Sequence, residues 1–218
     1  MERDAIKNIF LDLDGTLVDS SRRSYFLYRT IIRELDGRPL SYRSYLRLKR
    51  AKPLLEDVLR KSRGRNDVWF FKKYWETHIE SPEYLAHDRL AAGAKNVLAH
   101  LADTHPLYLI TLRRNKLLLH RELVRFGIAH YFHKVVSFPV QGRERAERKT
   151  KSLRKLARKG DIIVGDSETD IRAGKALGLI TIATASGWRS RALLRRERPD
   201  RLLAGIRNLA SVVDRIST

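Results

Sequence analysis

The chain has 218 residues and a formal net charge of +20, from 45 Lys/Arg against 25 Asp/Glu, which excludes an acidic chain. Hydrophobic residues at 43% can bury a core in one large domain, or in a core plus a smaller insertion, and argue against disorder. The absence of cysteine removes disulfides, thiolate catalysis and cysteine-based zinc or iron–sulfur sites together.

The start, Met1-Glu2-Arg3-Asp4, alternates charge, and no run of about 18 apolar residues follows. The chain therefore reads as soluble and cytoplasmic, with no membrane role. Ile6 to Leu13 is apolar-rich and stops at Asp14-Gly15, a buried strand ending in a tight turn. Ser20 to Glu34, Tyr42 to Lys49, Leu54 to Lys61 and Val68 to His78 have helical spacing, broken at Gly37-Arg38-Pro39, Pro53 and Gly64. Residues 17–88 thus read as a helical insertion between residues 1–16 and 89–218.

Beyond Pro82 the pattern alternates. Helices are expected over Gly93 to Asp103, Asn115 to Phe126, Lys151 to Lys159 and Glu168 to Leu177. Strands are expected over Leu107 to Leu112, Val135 to Phe138, Ile162 to Gly165 and Ile180 to Thr184. Arg201 to Ala204 reads as a short strand before a last helix from Ile206, and residues 139–150 as a long polar loop. Such a rhythm predicts an α/β fold, a doubly wound parallel sheet with helices on both faces.

Ligands of open parallel sheets bind beyond the carboxyl ends of the strands. Three strands end there in polar residues: Asp12-Leu13-Asp14-Gly15-Thr16, Thr111, and Asp166-Ser167-Glu168-Thr169-Asp170. Any one of these alone reads equally well as an ordinary turn or helix cap. Together they would bring Asp12, Asp14, Asp166 and Asp170 to one rim, where carboxylates about 4 Å apart repel by about 4 kcal/mol at an effective dielectric near 20. A hard divalent cation relieves that repulsion, and an all-oxygen set points to Mg²⁺. Thr111, with Lys149 or Lys151, supplies a hydroxyl and an ammonium suited to a phosphate.

Asp12-Leu13-Asp14-Gly15-Thr16-Leu17-Val18-Asp19-Ser20 and Gly165-Asp166-Ser167-Glu168-Thr169-Asp170 resemble the first and fourth motifs of the haloacid dehalogenase superfamily, specifically its phosphatases with a helical cap of the phosphoglycolate phosphatase-like type. Thr111 fits the second motif in position, and a lysine before the helix of residues 152 to 159 fits the third. The resemblance implies a Rossmann-like core with residues 17–88 as cap. It also implies Asp12 as nucleophile, forming an aspartyl-phosphate, and Asp14 as general acid and base. Mg²⁺ would then be held by Asp12, the Asp14 backbone carbonyl and Asp166, with Asp170 direct or through water, and the phosphoryl group by Thr111 and a lysine. Lys149 is preferred for its spacing to Leu153, with Lys151 the alternative. Dehalogenating relatives lack the Asp14 equivalent, so its presence selects phosphoryl chemistry.

Two departures stand out: Leu112-Arg113-Arg114 after Thr111, where guanidinium groups either face the substrate or are solvated, and the absence of a Lys-Pro pair in Arg148-Lys149-Thr150-Lys151. The seven His show no metal-binding spacing. The aromatic run Trp69, Phe70, Phe71, Tyr74 and Trp75 reads as helical core packing rather than a base-stacking platform. The expected activity is Mg²⁺-dependent hydrolysis of a small phosphorylated metabolite. Alternatives are a sugar phosphomutase, a nucleic-acid-binding protein, or a phosphatase of nucleic-acid ends, since the positive charge suits phosphate backbones although no nucleic-acid-binding motif is recognised.

Overall fold

Ile9, Phe10 and Leu11 form strand β1 (Ile9–Leu11), and all three are fully buried. In the computed structural model, which describes residues 7–138 and 145–217, the strand is shorter than the expected run from Ile6 to Leu13. Ile6 lies outside the described residues. Leu13 is already in a turn, its carbonyl accepting from the amides of Thr16, Leu17 and Val18. Strand β2 (Val18–Asp19) follows.

Ser20–Arg89 forms a compact unit of its own. It contains α1 (Ser21–Glu34), α2 (Tyr42–Arg50), α3 (Leu55–Lys61), α4 (Val68–His78) and α5 (Pro82–Leu85), the last unforeseen from sequence. Helix α1 places Leu27, Tyr28, Ile31 and Ile32 on one stripe, packed with Tyr45, Val58, Leu59, Phe71 and Tyr84. Phe70, Tyr74 and Trp75 pack against this cluster, whereas Trp69 is 73% exposed. The helix period explains the difference, because Phe71 and Trp75 are one turn apart on the inner face. The Tyr28 hydroxyl pairs with Ser62 at 2.7 Å and accepts from the Leu40 amide at 2.9 Å, so the polar ends of the aromatic core are satisfied.

The second unit comprises Met1–Asp19 and Leu90–Thr218. After β3 (Arg89–Leu90) come α6 (Ala94–Ala102), β4 (Leu107–Thr111), α7 (Lys116–Arg125), a 3₁₀ turn, β5 (Phe132–Ser137), α8 (Arg145–Leu153) and β6 (Ile162–Gly165). Then follow α9 (Glu168–Ala176), β7 (Ile180–Thr184), α10 (Arg191–Arg196), β8 (Arg201–Leu203) and α11 (Leu209–Ser217). The sheet has the order β5-β4-β1-β6-β7-β8 with parallel pairing throughout.

Both faces of the sheet are covered. Ile9, Leu11, Leu107, Leu109, Ile162 and Val164 pack against Val97, Leu98, Leu119, Leu123 and Val213. The alternate residues Phe10, Ile110 and Ile163 pack against Leu153, Ala173 and Leu179. The strands are therefore apolar on successive residues rather than alternately, as a doubly covered parallel sheet requires.

The largest departure from the sequence reading is α8, expected over Lys151 to Lys159 but observed over Arg145–Leu153. Its inward residues Lys149 and Leu153 are one turn apart, and the chain then turns, the Leu153 carbonyl accepting from both Leu156 and Ala157 at 2.8 Å. Residues 145–150 are accordingly helical rather than loop, and the rest of that expected loop, 139–144, lies outside the described residues. Strand β5 begins three residues earlier than Val135, and α10 was not anticipated. Among the described residues, no helix is long and apolar enough to cross a membrane.

Candidate active site

Strand β1 lies between β4 and β6, where the order of connections reverses, so the ends of these three strands border the crevice of the fold. Asp12 directly follows β1, and its amide donates to the Val164 carbonyl at 2.9 Å, which carries the pairing with β6 one residue further. Thr111 ends β4 and is 1% exposed; its hydroxyl accepts from the Arg113 amide at 3.3 Å. Asp166 follows β6. Asp170 stands in the first turn of α9, where its carboxylate accepts from the Ser167 amide at 3.1 Å and from the Ser167 hydroxyl at 2.6 Å, caps that also favour the helix dipole.

Oxygens of Asp12, Asp166 and Asp170 lie within 4.8 Å of one another. Lys149, reaching inward from α8 and 2% exposed, donates to Asp12 at 2.8 Å and also bonds Asp170. Lys151 is exposed, so the two candidate lysines separate by helix face. Contrary to expectation, Lys149 stands within a helix and not ahead of one.

Burial, then the nearby Asp170 and Asp14 charges, push the Asp12 carboxyl up from its ordinary 3.8 to about 7, although Lys149 works the other way. Asp166 is raised well above its ordinary range by burial and by Asp12 and Asp170, against the Trp188 amide and Arg189. For Lys149, burial opposes the charge, but Asp12 and Asp170 outweigh it and raise its proton affinity. The chain as a whole is strongly basic, yet this rim gathers three carboxylates around one ammonium. That imbalance, with an all-oxygen donor set, fits a hard divalent cation.

The surrounding backbone is shaped to the carboxylates. Gly15 adopts φ +89°, and a Cβ there would overlap the Asp166 carboxylate; a Cβ on Gly187 would overlap both that carboxylate and the Gly15 carbonyl. The Trp188 amide donates to Asp166. If Asp166 holds a divalent cation, Gly187→Ala is accordingly expected to weaken that binding about tenfold or more, the scale for disturbing groups that orient a metal ligand. Calorimetric titration with Mg²⁺ reads this, and unchanged affinity would mean that the neighbouring loop gives way.

Asp14 is not part of the three-carboxylate cluster. Its carboxylate accepts from Arg113 Nε at 2.6 Å and Nη2 at 2.9 Å. Arg113 is thus neither solvated nor free to face a ligand, the two options its sequence position left open. Arg113, Glu122, Gly187 and Trp188 were not singled out as partners of the carboxylates. Glu122 carried a usable signal, a charged residue between Leu119 and Leu123 on the apolar stripe of α7.

Comparison with known proteins follows the same lines. Residues 9–184 match the family model described as haloacid dehalogenase-like hydrolase. A curated phosphoglycolate phosphatase of Neisseria gonorrhoeae is 28% identical, the alignment covering 92% of this chain and 90% of that protein. Among solved structures, a haloacid dehalogenase-like hydrolase family protein of Streptococcus pneumoniae superposes with a TM-score of 0.72 at 22% identity, covering 95% of this chain and 98% of that one. A predicted phosphoglycolate phosphatase from Haemophilus somnus gives 0.71 at 21% identity over the same shares of the two chains.

Proposed function

Because the chain belongs to the haloacid dehalogenase-like hydrolase family, we propose that it is a Mg²⁺-dependent phosphatase of small anionic phosphomonoesters, phosphoglycolate-like in carrying a second negative group. The observation that supports this most directly is the convergence of Asp12, Asp166, Asp170 and Lys149 beside Thr111 at the carboxyl ends of β1, β4 and β6.

In this reading Asp12 attacks phosphorus through a carboxylate oxygen while the ester P–O bond breaks, giving an aspartyl-phosphate. Asp14 gives its proton to the departing alcohol oxygen. It then takes a proton from the water that attacks the acyl phosphate, releasing inorganic phosphate and restoring Asp12. Thr111 and Lys149 hold the phosphoryl oxygens, and Lys149 offsets the charge that spreads over them. Asp12, the Asp14 backbone carbonyl, Asp166 and Asp170 would hold Mg²⁺, which would supply positive charge to offset that of the carboxylates and the phosphoryl oxygens.

The insertion over residues 17–88 is the proposed substrate-selecting cap. The 16 Lys/Arg against 5 Asp/Glu over residues 20–75 favour a ligand with a second anionic group, and the Neisseria relative is named for one.

A phosphate-release screen over phosphorylated metabolites, with EDTA or Mg²⁺, tests the proposal. Release is expected only with Mg²⁺ present, and release undiminished in chelator would overturn the metal dependence. Isomerised sugar phosphate without free phosphate would instead identify a mutase. Asp166→Ala is expected to raise the Mg²⁺ requirement more than Asp170→Ala, because the Asp170 carboxylate is already engaged by Ser167 and Lys149. The opposite order would exchange their roles.

A further inference from the structure

We infer that Arg113, braced by Glu122, is the positioning residue for Asp14, locking the plane of its carboxylate for proton transfer to the leaving group. The inference rests on the reading of Asp14 as general acid and base.

Three features of the geometry carry it. First, the contact is a fork: Nε donates to Oδ2 at 2.6 Å and Nη2 to Oδ1 at 2.9 Å. Rotation about the last side-chain bond of an aspartate is soft. Two parallel bonds from a planar guanidinium remove that freedom in a way a lysine cannot, since an ammonium is a point charge without a fixed plane.

Second, the arginine is itself held from behind. Its Nη2 lies 3.1 Å from Glu122 Oε2, an ion pair without hydrogen-bond alignment, and the Arg113 and Glu122 side chains are 4% and 3% exposed. Glu122 projects from α7 between Leu119 and Leu123, both part of the main core. The Arg113 backbone is pinned as well, its amide donating to the Thr111 hydroxyl at 3.3 Å and its carbonyl accepting from the Ser137 hydroxyl at 2.5 Å. The guanidinium therefore transmits the rigidity of β4, β5 and α7 to Asp14.

Third, the grip leaves a working face. The Asp14 side chain is 25% exposed while Arg113 is 4% exposed, so the arginine bonds the carboxylate from the protein side and solvent reaches the other. Each carboxylate oxygen has a lone pair beyond the one used by the fork. With Arg113 enclosed between two carboxylates, its charge serves Asp14 and not the substrate.

The proton transfer being positioned is that from Asp14 to the ester oxygen as the P–O bond breaks and the Asp12–phosphorus bond forms. Its weight depends on the leaving group: an alcohol of low acidity needs the proton, whereas a strongly acidic phenol departs without it. Misorientation of a proton donor by about 1 Å can cost as much as about 10²-fold.

The test measures kcat/KM with phenyl, p-nitrophenyl and 2,4-dinitrophenyl phosphate in saturating Mg²⁺. The proteins are wild type, Asp14→Asn, Arg113→Lys, Arg113→Met and the double variant Arg113→Met/Glu122→Gln, which avoids stranding a buried carboxylate. Melting curves verify that each is folded. The double variant is expected to lose more than about tenfold on phenyl phosphate and less than about threefold on 2,4-dinitrophenyl phosphate, with Arg113→Lys recovering only part of the loss. Equal losses on all three esters, or full recovery by lysine, would overturn the positioning role. If Asp14→Asn shows the leaving-group dependence and the Arg113 variants do not, the inference fails while the proposed mechanism stands. If Asp14→Asn shows none, the reading of Asp14 itself fails, and the inference with it.

Discussion

Asp12→Asn is expected to reduce phosphate release on the order of 10⁴-fold or more, the scale of losing a nucleophile, and to leave the fold intact. The second half of that expectation follows from burial. The Asp12 carboxyl, raised by burial and by Asp170 and Asp14 to about 7, holds in the folded chain a proton that the unfolded chain releases near 3.8. Between those values the folded state binds more protons than the unfolded state, so the contribution of Asp12 to stability falls as the pH rises through this window. In EDTA, the metal-free variant is therefore expected to melt at or above the wild type at pH 8, and the advantage to shrink toward pH 5. Retained phosphate release would sink the mechanism. A variant melting far below the wild type at pH 8 would show that the Asp12–Lys149 pair stabilises more than burial costs.

Lys149→Met should have the second large effect, and on two observables at once. The ammonium is 2% exposed and bonds both Asp12 and Asp170. Removing one partner of a buried charge cluster costs about 3–5 kcal/mol, or roughly 10 °C of melting temperature for a chain of this size. Activity should fall by at least about 10²-fold, because the charge proposed to face the transferring phosphoryl group is lost. Added Mg²⁺ should restore part of the stability, since the stranded carboxylates are the proposed cation ligands, but not the activity. Lys151→Met, on the exposed face of α8, is expected to change both by less than about 0.5 kcal/mol equivalent. Thermal melts and phosphate release on the two variants decide between the lysines, and a larger loss in Lys151→Met would reverse the assignment.

The same pair of lysines shows where sequence reading stops. The strands β1, β4, β6 and β7 were legible because a parallel sheet covered on both faces demands runs such as Ile9-Phe10-Leu11 and Ile162-Ile163-Val164, and those runs are local. The carboxylates were legible for the same reason: Asp12 and Asp14 stand directly behind β1, and Asp166 to Asp170 directly behind β6. Element ends were less legible. Helix α8 was displaced by six residues at each end, because a basic segment carries little apolar periodicity and Leu153 suits either register.

What only the tertiary structure decided is the identity of the partners. Lys149 faces inward and Lys151 outward because two positions along a helix point to different sides, and which side meets the sheet depends on how α8 docks. Arg113 grips Asp14, 99 residues away, and Glu122 closes that network from a helix whose sequence shows only an apolar stripe with one acidic interruption. Gly187 and the Trp188 amide meet Asp166 across a loop that no periodicity marks. Apolar patterning reports how each segment meets solvent, so the sequence by itself determined the layers and the carboxylate rim. Charge pairing is set by distances through space between segments remote along the chain, and folding alone brings those segments within bonding range.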